Sequence, residues 1–99
     1  MSSLRLIALS AIIVGINNKH GKTLQAVFSR PTANTLEWAR IEALLVAAGC
    51  VVLEGRGSRV RFVHGHHVAS FHRPHPAKEA KPYQVEDARA FLTMIGVKP

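Results

Sequence analysis

Arginine and histidine side chains are concentrated in one short segment of this 99-residue chain, between residues 55 and 76. The segment holds five of the six histidines and four arginines. Guanidinium groups bind phosphate through fork-shaped pairs of donors, and imidazole exchanges protons near neutral pH. The segment therefore predicts a surface that binds a polyanion, for which RNA is the first candidate, and that could carry acid–base chemistry.

A glycine-rich turn at residues 55–59 opens this segment, with the sequence Gly-Arg-Gly-Ser-Arg. Glycines allow backbone N–H groups to approach a ligand closely, and the arginines add planar donors for phosphate. The spacing is not that of a Walker phosphate-binding loop, and a hairpin turn with solvated arginines is an equal alternative. The candidate RNA- or phosphate-binding residues of the segment are Arg56, Gly57, Ser58, Arg59, Arg61 and Arg73.

Two histidines stand at the end of the segment, where Pro74 and Pro76 are expected to hold the chain rigid. Cleavage of RNA by its own 2′-hydroxyl needs a base, an acid and a cation for the charge on the phosphorane. His72 and His75 are therefore the candidate catalytic residues. A surface histidine at an ordinary strand exit is the alternative interpretation of His75.

A metal site is the competing interpretation of the histidine cluster. Adjacent His66 and His67 point to opposite faces of a strand and cannot easily share an ion. His64 and His66 could share one, but no carboxylate lies near them in the sequence. We therefore expect no metal and no other cofactor, and we interpret His64 and His66 as solvated turn residues.

The elements that must position these side chains follow from apolar spacing. Alternation predicts strands at 50–54, 59–63 and 67–72, and helical periodicity predicts helices at 22–29, 35–48 and 83–94. Asn34 and Glu37 have capping-box spacing for the second helix, in which Trp38 is a core anchor or an exposed platform for bases. This order predicts an α+β fold, a three-stranded antiparallel sheet with helices packed on one face.

The net charge of +7 and the pI of about 10.6 restrict the partners more than the fold. Nucleic acid, an anionic membrane surface or an acidic protein would suit this charge. Cys50 is the only cysteine, which excludes an intramolecular disulfide and agrees with a reducing cytoplasm. Its apolar neighbours indicate a buried thiol.

The N-terminal segment 4–16 is largely apolar but too short for a confident transmembrane helix. It has some features of a signal peptide but no convincing cleavage site. We assign residues 1–18 to an extension outside the domain and residues 19–99 to a single domain.

Four pieces of the chain, in order, resemble the HicA toxin family of bacterial type II toxin–antitoxin systems. WARIEALLVAAG at 38–49 resembles the family's first main helix, and EGRGSRVRF at 54–62 stands where the family has Gly-Ser-His. FHRPHPAKEAKP at 71–82 is similar to the segment with the family's Pro-x-His, and VEDARAFLTMIGVKP at 85–99 to its last helix. The resemblance implies a double-stranded-RNA-binding-domain-like fold, an mRNA-cleaving toxin, and a HicB-like antitoxin that covers the RNA surface. Our first hypothesis is accordingly an endoribonuclease that cleaves mRNA without a metal.

The chain departs from the family at the position of its active-site histidine. Gly57-Ser58 is followed by Arg59, and arginine stays protonated and cannot act as a base. Another histidine, His72 or His75, would then act as the general acid or base. The alternatives are an RNA-binding module that does not cut, and a basic domain whose only partner is an acidic protein.

Overall fold

The computed structural model describes residues 17–99, which form three helices and one three-stranded antiparallel sheet. In chain order the elements are α1 (Asn18–Phe28), α2 (Trp38–Ala47), β1 (Val51–Glu54), β2 (Arg59–His64), β3 (His67–His72) and α3 (Pro82–Met94). The strands lie in the order β1-β2-β3. Among residues 17–99 the helices cover one face of the sheet and leave the other uncovered, and we call this second face the open face. The predicted α+β class and the helix and strand order are confirmed.

Strand alternation produces the division between a buried and an open sheet face. Val60 and Phe62 of β2 point into the core, whereas Arg59 and Arg61 of the same strand are exposed. Phe71 of β3 is also buried in the core. Trp38 is buried against two of these aromatic rings, with centroids 6.2 Å from Phe62 and 5.0 Å from Phe71. Trp38 is thus the core anchor, and it cannot serve as a platform for bases.

The first helix begins four residues earlier than its apolar pattern indicates. Asn17 caps it, because its side-chain oxygen accepts a hydrogen bond of 3.0 Å from the backbone N–H of His20. The helix buries Leu24 and Val27 in the core. Asn18, the last residue of the extension expected at 1–18, is thus the first residue of α1. Residues 1–16 lie outside the described residues.

The second helix begins at Trp38, three residues later than predicted, and the expected capping box does not form. The chain before it is extended instead, and Glu37 forms an isolated antiparallel bridge with Glu79. Trp38 donates its backbone N–H to Lys78, and Ala80 donates to Leu36. This pairing with a segment some forty residues away overrides the local capping signal.

The three strands differ from their predicted bounds by one residue at most. β2 extends to His64, β1 begins at Val51, and Gly65 and His66 form the tight connection between β2 and β3. Cys50 lies just before β1 in the core, where burial raises the pKa of its thiol to about 11. The prediction of a buried thiol is therefore confirmed.

The last helix begins at Pro82, one residue before the predicted start, and the proline occupies the first turn. It buries Val85, Ala88 and Leu92 against the other helices and the sheet. No helix among residues 17–99 is long and apolar enough to cross a membrane.

Candidate nucleic-acid interface

A groove of about 660 Å³ lies at the end of the sheet where β2 begins and β3 ends. The turn between β1 and β2 lines one part of it, and residues of β2 and β3 line the rest. Its polar and charged lining comes from Arg56, Arg59, Arg61, Ser70 and His72. We call this site the arginine groove, and it brings together the glycine-rich turn and His72.

Glycine is needed where the turn folds back beside Arg59. Gly55 donates its N–H to the carbonyl oxygen of Arg59 over 2.8 Å, and a Cβ at this position would lie 3.0 Å from the Cβ of Arg59. Gly57 has a φ of +59°, which side chains rarely adopt. The two glycines therefore close a turn that brings Arg56 and Arg59 to the same groove.

Strand register sets the arginines beside polar partners on the open face. Arg59 pairs with His72, and Arg61 pairs with Ser70. Residues directly opposite in an antiparallel pair have Cβ atoms about 5 Å apart on the same face. The structure therefore brings a permanent cation, Arg59, next to a group that can transfer a proton, His72.

The Ser58 side chain holds the imidazole of His72. Its Oγ lies 3.3 Å from Nδ1 of His72, and its carbonyl oxygen accepts a hydrogen bond of 2.8 Å from the N–H of Arg73. When the ring proton is on Nε2, the Ser58 hydroxyl donates to Nδ1. Nε2 is the ring nitrogen that takes no part in this contact.

Arg73 is engaged elsewhere, although its sequence position suggested phosphate binding. Its guanidinium donates to Glu42 of α2 at 2.9 Å through Nε and through Nη2, and to Glu54 of β1 at 2.6 Å through Nη1 and 2.8 Å through Nη2. These hydrogen bonds lower the pKa of both carboxyl groups and raise that of Arg73. Arg73 thus ties the end of β3 to α2 and β1, and we leave it out of the phosphate-binding set proposed below.

The histidine cluster seen in the sequence is divided in space. His64 and His67 pair with each other at the far end of the hairpin, about 16 Å from His72 along strands of six residues. His66 is exposed in the turn beside them. His75 is exposed in the segment after β3 and does not line the arginine groove. Within residues 17–99 no three His, Cys, Asp or Glu side chains lie together as a set that could hold a metal ion.

Sequence reasoning missed two contributors to this end of the sheet. Ser70 lines the groove, and the alternation of β3 would have placed it beside the arginines. Gln84 is 2% exposed and donates its side-chain amide to the carbonyl oxygen of His72 over 2.7 Å. No pattern in the sequence indicates this contact, because it joins α3 to the end of β3.

No curated protein and no solved structure matches the chain. A family model described as HicA toxin of bacterial toxin–antitoxin matches residues 38–90, which is more than half of the chain and includes every residue of the arginine groove. HicA proteins have the double-stranded-RNA-binding-like fold, which confirms the fold expected from the sequence resemblance. The chain therefore belongs to the HicA family of toxins from bacterial toxin–antitoxin systems.

Proposed function

We propose that this toxin binds mRNA in the arginine groove and cleaves it, which blocks translation. The observation that carries the proposal is the placement of Arg59 and Arg61 beside His72 on one open sheet face. Single-stranded RNA offers phosphates to the arginines, and an open groove admits a chain of any length. The net charge of +7 favours encounter with such a polyanion.

The proposed reaction uses the RNA's own 2′-hydroxyl and needs no metal or other cofactor. The 2′-oxygen attacks the adjacent phosphorus, its bond to phosphorus forms, and the bond from phosphorus to the 5′-oxygen breaks. The hydroxyl proton passes to a base, and the departing 5′-oxygen receives a proton from an acid. His72 is the group in the groove that can exchange protons near neutral pH, and Arg59 and Arg61 stabilise the charge on the phosphorane.

His75 is the second candidate for proton transfer, since it follows His72 by three residues on an exposed segment. It stands outside the groove lining, so it would have to reach the RNA from the side. We therefore assign the primary proton-transfer role to His72 and a secondary one to His75.

A second function is favoured by one specific observation, the arginine at the position after Gly57-Ser58. The groove lining contains one histidine, whereas the reaction moves two protons. A protein with this groove could hold mRNA and obstruct the ribosome without cutting. In both cases the toxin acts in the cytoplasm, where mRNA is found, and a HicB-like antitoxin neutralises it.

Substitution of the two histidines separates these functions. We expect His72→Gln to slow cleavage of a synthetic single-stranded RNA at least 100-fold, which is the usual lower size of an acid–base contribution. Its affinity for an uncleavable 2′-deoxy analogue should stay within about threefold, because the arginines still hold the phosphates. His75→Gln serves as the matched variant, with a smaller loss expected.

The outcomes distinguish the alternatives. Cleavage by His72→Gln at the wild-type rate would overturn the assignment of His72. Full activity of His75→Gln would remove the secondary role of that residue. If the wild type binds RNA but yields no product, the function is binding without cleavage.

A further inference from the structure

Ser58 lies beside the arginine groove without lining it, although its place in the glycine-rich turn suggested that it binds phosphate. Its side chain is half-buried, and its Oγ lies 3.3 Å from Nδ1 of His72. In the described part of the chain, the His72 ring makes its one hydrogen bond with this hydroxyl. The Ser58 side chain is therefore connected to the groove through the imidazole of His72.

Main-chain contacts keep this hydroxyl and this ring together. The carbonyl oxygen of Ser58 accepts a hydrogen bond of 2.8 Å from the N–H of Arg73, the residue after His72. The carbonyl oxygen of His72 accepts a hydrogen bond of 2.7 Å from the side chain of Gln84, which is 2% exposed on α3. The backbones of Ser58 and His72 are thus anchored by hydrogen bonds that involve neither the hydroxyl nor the ring.

An imidazole that is held at one nitrogen can exchange a proton at the other. When Nδ1 of His72 carries the ring proton, it donates to the Ser58 oxygen, and the unprotonated Nε2 can accept a proton. A base that is oriented by a third group is the usual arrangement for activating a hydroxyl nucleophile. A serine hydroxyl suits this task beside RNA, because it accepts the hydrogen bond without adding a negative charge near the phosphates.

Building on the proposed function, we propose that Ser58 is a positioning residue that makes His72 the general base of RNA cleavage. The 2′-hydroxyl of the RNA transfers its proton to Nε2 of His72 while the 2′-oxygen forms its bond to phosphorus. The bond from phosphorus to the 5′-oxygen breaks, and this oxygen takes a proton from a second acid, either His75 or a water molecule of the solvent. Nδ1 keeps its proton throughout and donates it in a hydrogen bond to Ser58.

The contact between Ser58 and His72 should contribute more to the transition state than to the bound substrate. The His72 ring becomes a cation as it takes the proton, and a hydrogen bond from a charged donor is about twice as strong as one between neutral groups. Catalytic hydrogen bonds are often long without substrate, as the 3.3 Å contact is, and shorten in the complex. An interaction that strengthens during the reaction raises kcat and leaves the binding of substrate unchanged.

Substitution of Ser58 separates a positioning role from phosphate binding. In Ser58→Ala, kcat for a synthetic single-stranded RNA should fall at least about fivefold, the usual size of one hydrogen bond, while KM and the affinity for a 2′-deoxy analogue stay within about twofold. Ser58→Thr keeps the hydroxyl and should recover most of this kcat. Ser29→Ala removes an exposed serine hydroxyl just after α1 and is the matched control, with kcat and KM unchanged.

The ring of His72 offers a second measurement that does not depend on cleavage. Proton–nitrogen correlation NMR of the full chain observes the ring nitrogens, and the His72 signals are identified by their loss in His72→Gln. Because the Nδ1 signal reports the hydrogen bond at that atom, it should shift in Ser58→Ala. In Ser58→Thr it should stay close to its wild-type position.

Each result decides the proposal. An unchanged kcat or an unchanged Nδ1 signal in Ser58→Ala overturns it. A higher KM with an unchanged kcat also overturns it, and would make Ser58 a phosphate-binding residue. An equal loss of kcat in Ser58→Thr would assign the effect to the shape of the turn rather than to the hydroxyl, which again overturns it. If the wild type binds RNA but yields no product, the proposed cleavage fails, whereas the nitrogen signals still decide whether Ser58 holds the His72 ring.

Discussion

The salt dependence of RNA binding should report which arginines contact phosphate. The structure places Arg56, Arg59 and Arg61 in the groove and commits Arg73 to Glu42 and Glu54. For single strands, the logarithm of affinity falls against the logarithm of salt concentration with a slope of about 0.7 per neutralised phosphate. Three contacts therefore contribute a slope of about 2, which is roughly a 20-fold loss of affinity between 50 and 200 mM salt.

Removing one groove arginine should reduce this slope by a defined amount. Arg59→Gln leaves two contacts, so the slope should fall by about 0.7 and the loss over the same range by roughly 2.6-fold. Arg61→Gln should behave alike. The assay is fluorescence anisotropy of a labelled 2′-deoxy oligonucleotide at four or more salt concentrations.

Two control variants distinguish direct contacts between arginines and phosphates from the effect of the protein's overall positive charge. Lys22→Gln removes the same charge from an exposed position on α1, in the helical layer, and the slope should not change. Arg73→Gln should also leave the slope unchanged, because its donors already serve two carboxylates. Its folding is checked by circular dichroism.

The reasoning would be refuted by two results. Equal slope changes for Lys22→Gln and Arg59→Gln would mean that the whole charged surface binds RNA. A fall of about 0.7 in Arg73→Gln would mean that the ion pairs open and that Arg73 contacts phosphate after all.

Three further predictions concern the framework that holds the groove. Arg73 lowers the pKa of Glu42 and Glu54, so these ion pairs stabilise the fold above about pH 4.5, and this stability is lost as the pH falls through the lowered pKa values. In urea denaturation, the free energy of unfolding of Arg73→Met should therefore depend less on acid pH than that of the wild type. Parallel pH dependences of the two proteins would contradict the pairing. Phe62→Ala should lower the free energy of unfolding by about 3–5 kcal/mol, a large share of the 5–15 kcal/mol typical of a domain, measured by chemical denaturation, and a loss below about 1 kcal/mol would disagree with the packing. Since burial raises the pKa of the Cys50 thiol to about 11, a disulfide reagent at pH 8 should label it only when urea is added, and rapid labelling of native protein would show an accessible thiol.

The strands and the turn at the groove could be predicted because their signals are local. Alternation of apolar and charged residues along β2 is enough to put Arg59 and Arg61 on one face and Phe62 on the other. The turn at Gly57 is also predictable from the sequence, because glycine adopts a positive φ without the steric penalty that other residues incur, and Gly57 has such a φ. The family resemblance rested on four pieces in order, the helix at 38–49, the turn and strand at 54–62, the segment 71–82 and the last helix at 85–99, and the match to residues 38–90 confirms it.

Helix starts were predicted less well because contacts distant in sequence decide them. A capping box at Asn34 and Glu37 is favourable locally, but the pairing of Glu37 with Glu79 keeps this segment extended. The start of α1 at Asn18 was missed for a different reason. Its first turn is polar and exposed, so hydrophobic periodicity does not reveal it.

By itself, the sequence determined the class of surface: a sheet face with arginines and histidines, built on an apolar core. Which of these residues act together was decided only by the tertiary structure. The strand register places His72 opposite Arg59, and it places His64 and His67 at the other end of the β2–β3 hairpin. Packing of α2 and β1 near the end of β3 lets Glu42 and Glu54 accept hydrogen bonds from Arg73. The physical reason is that alternation sets only the face on which a side chain lies, whereas the partner of a charge depends on which elements pack beside it.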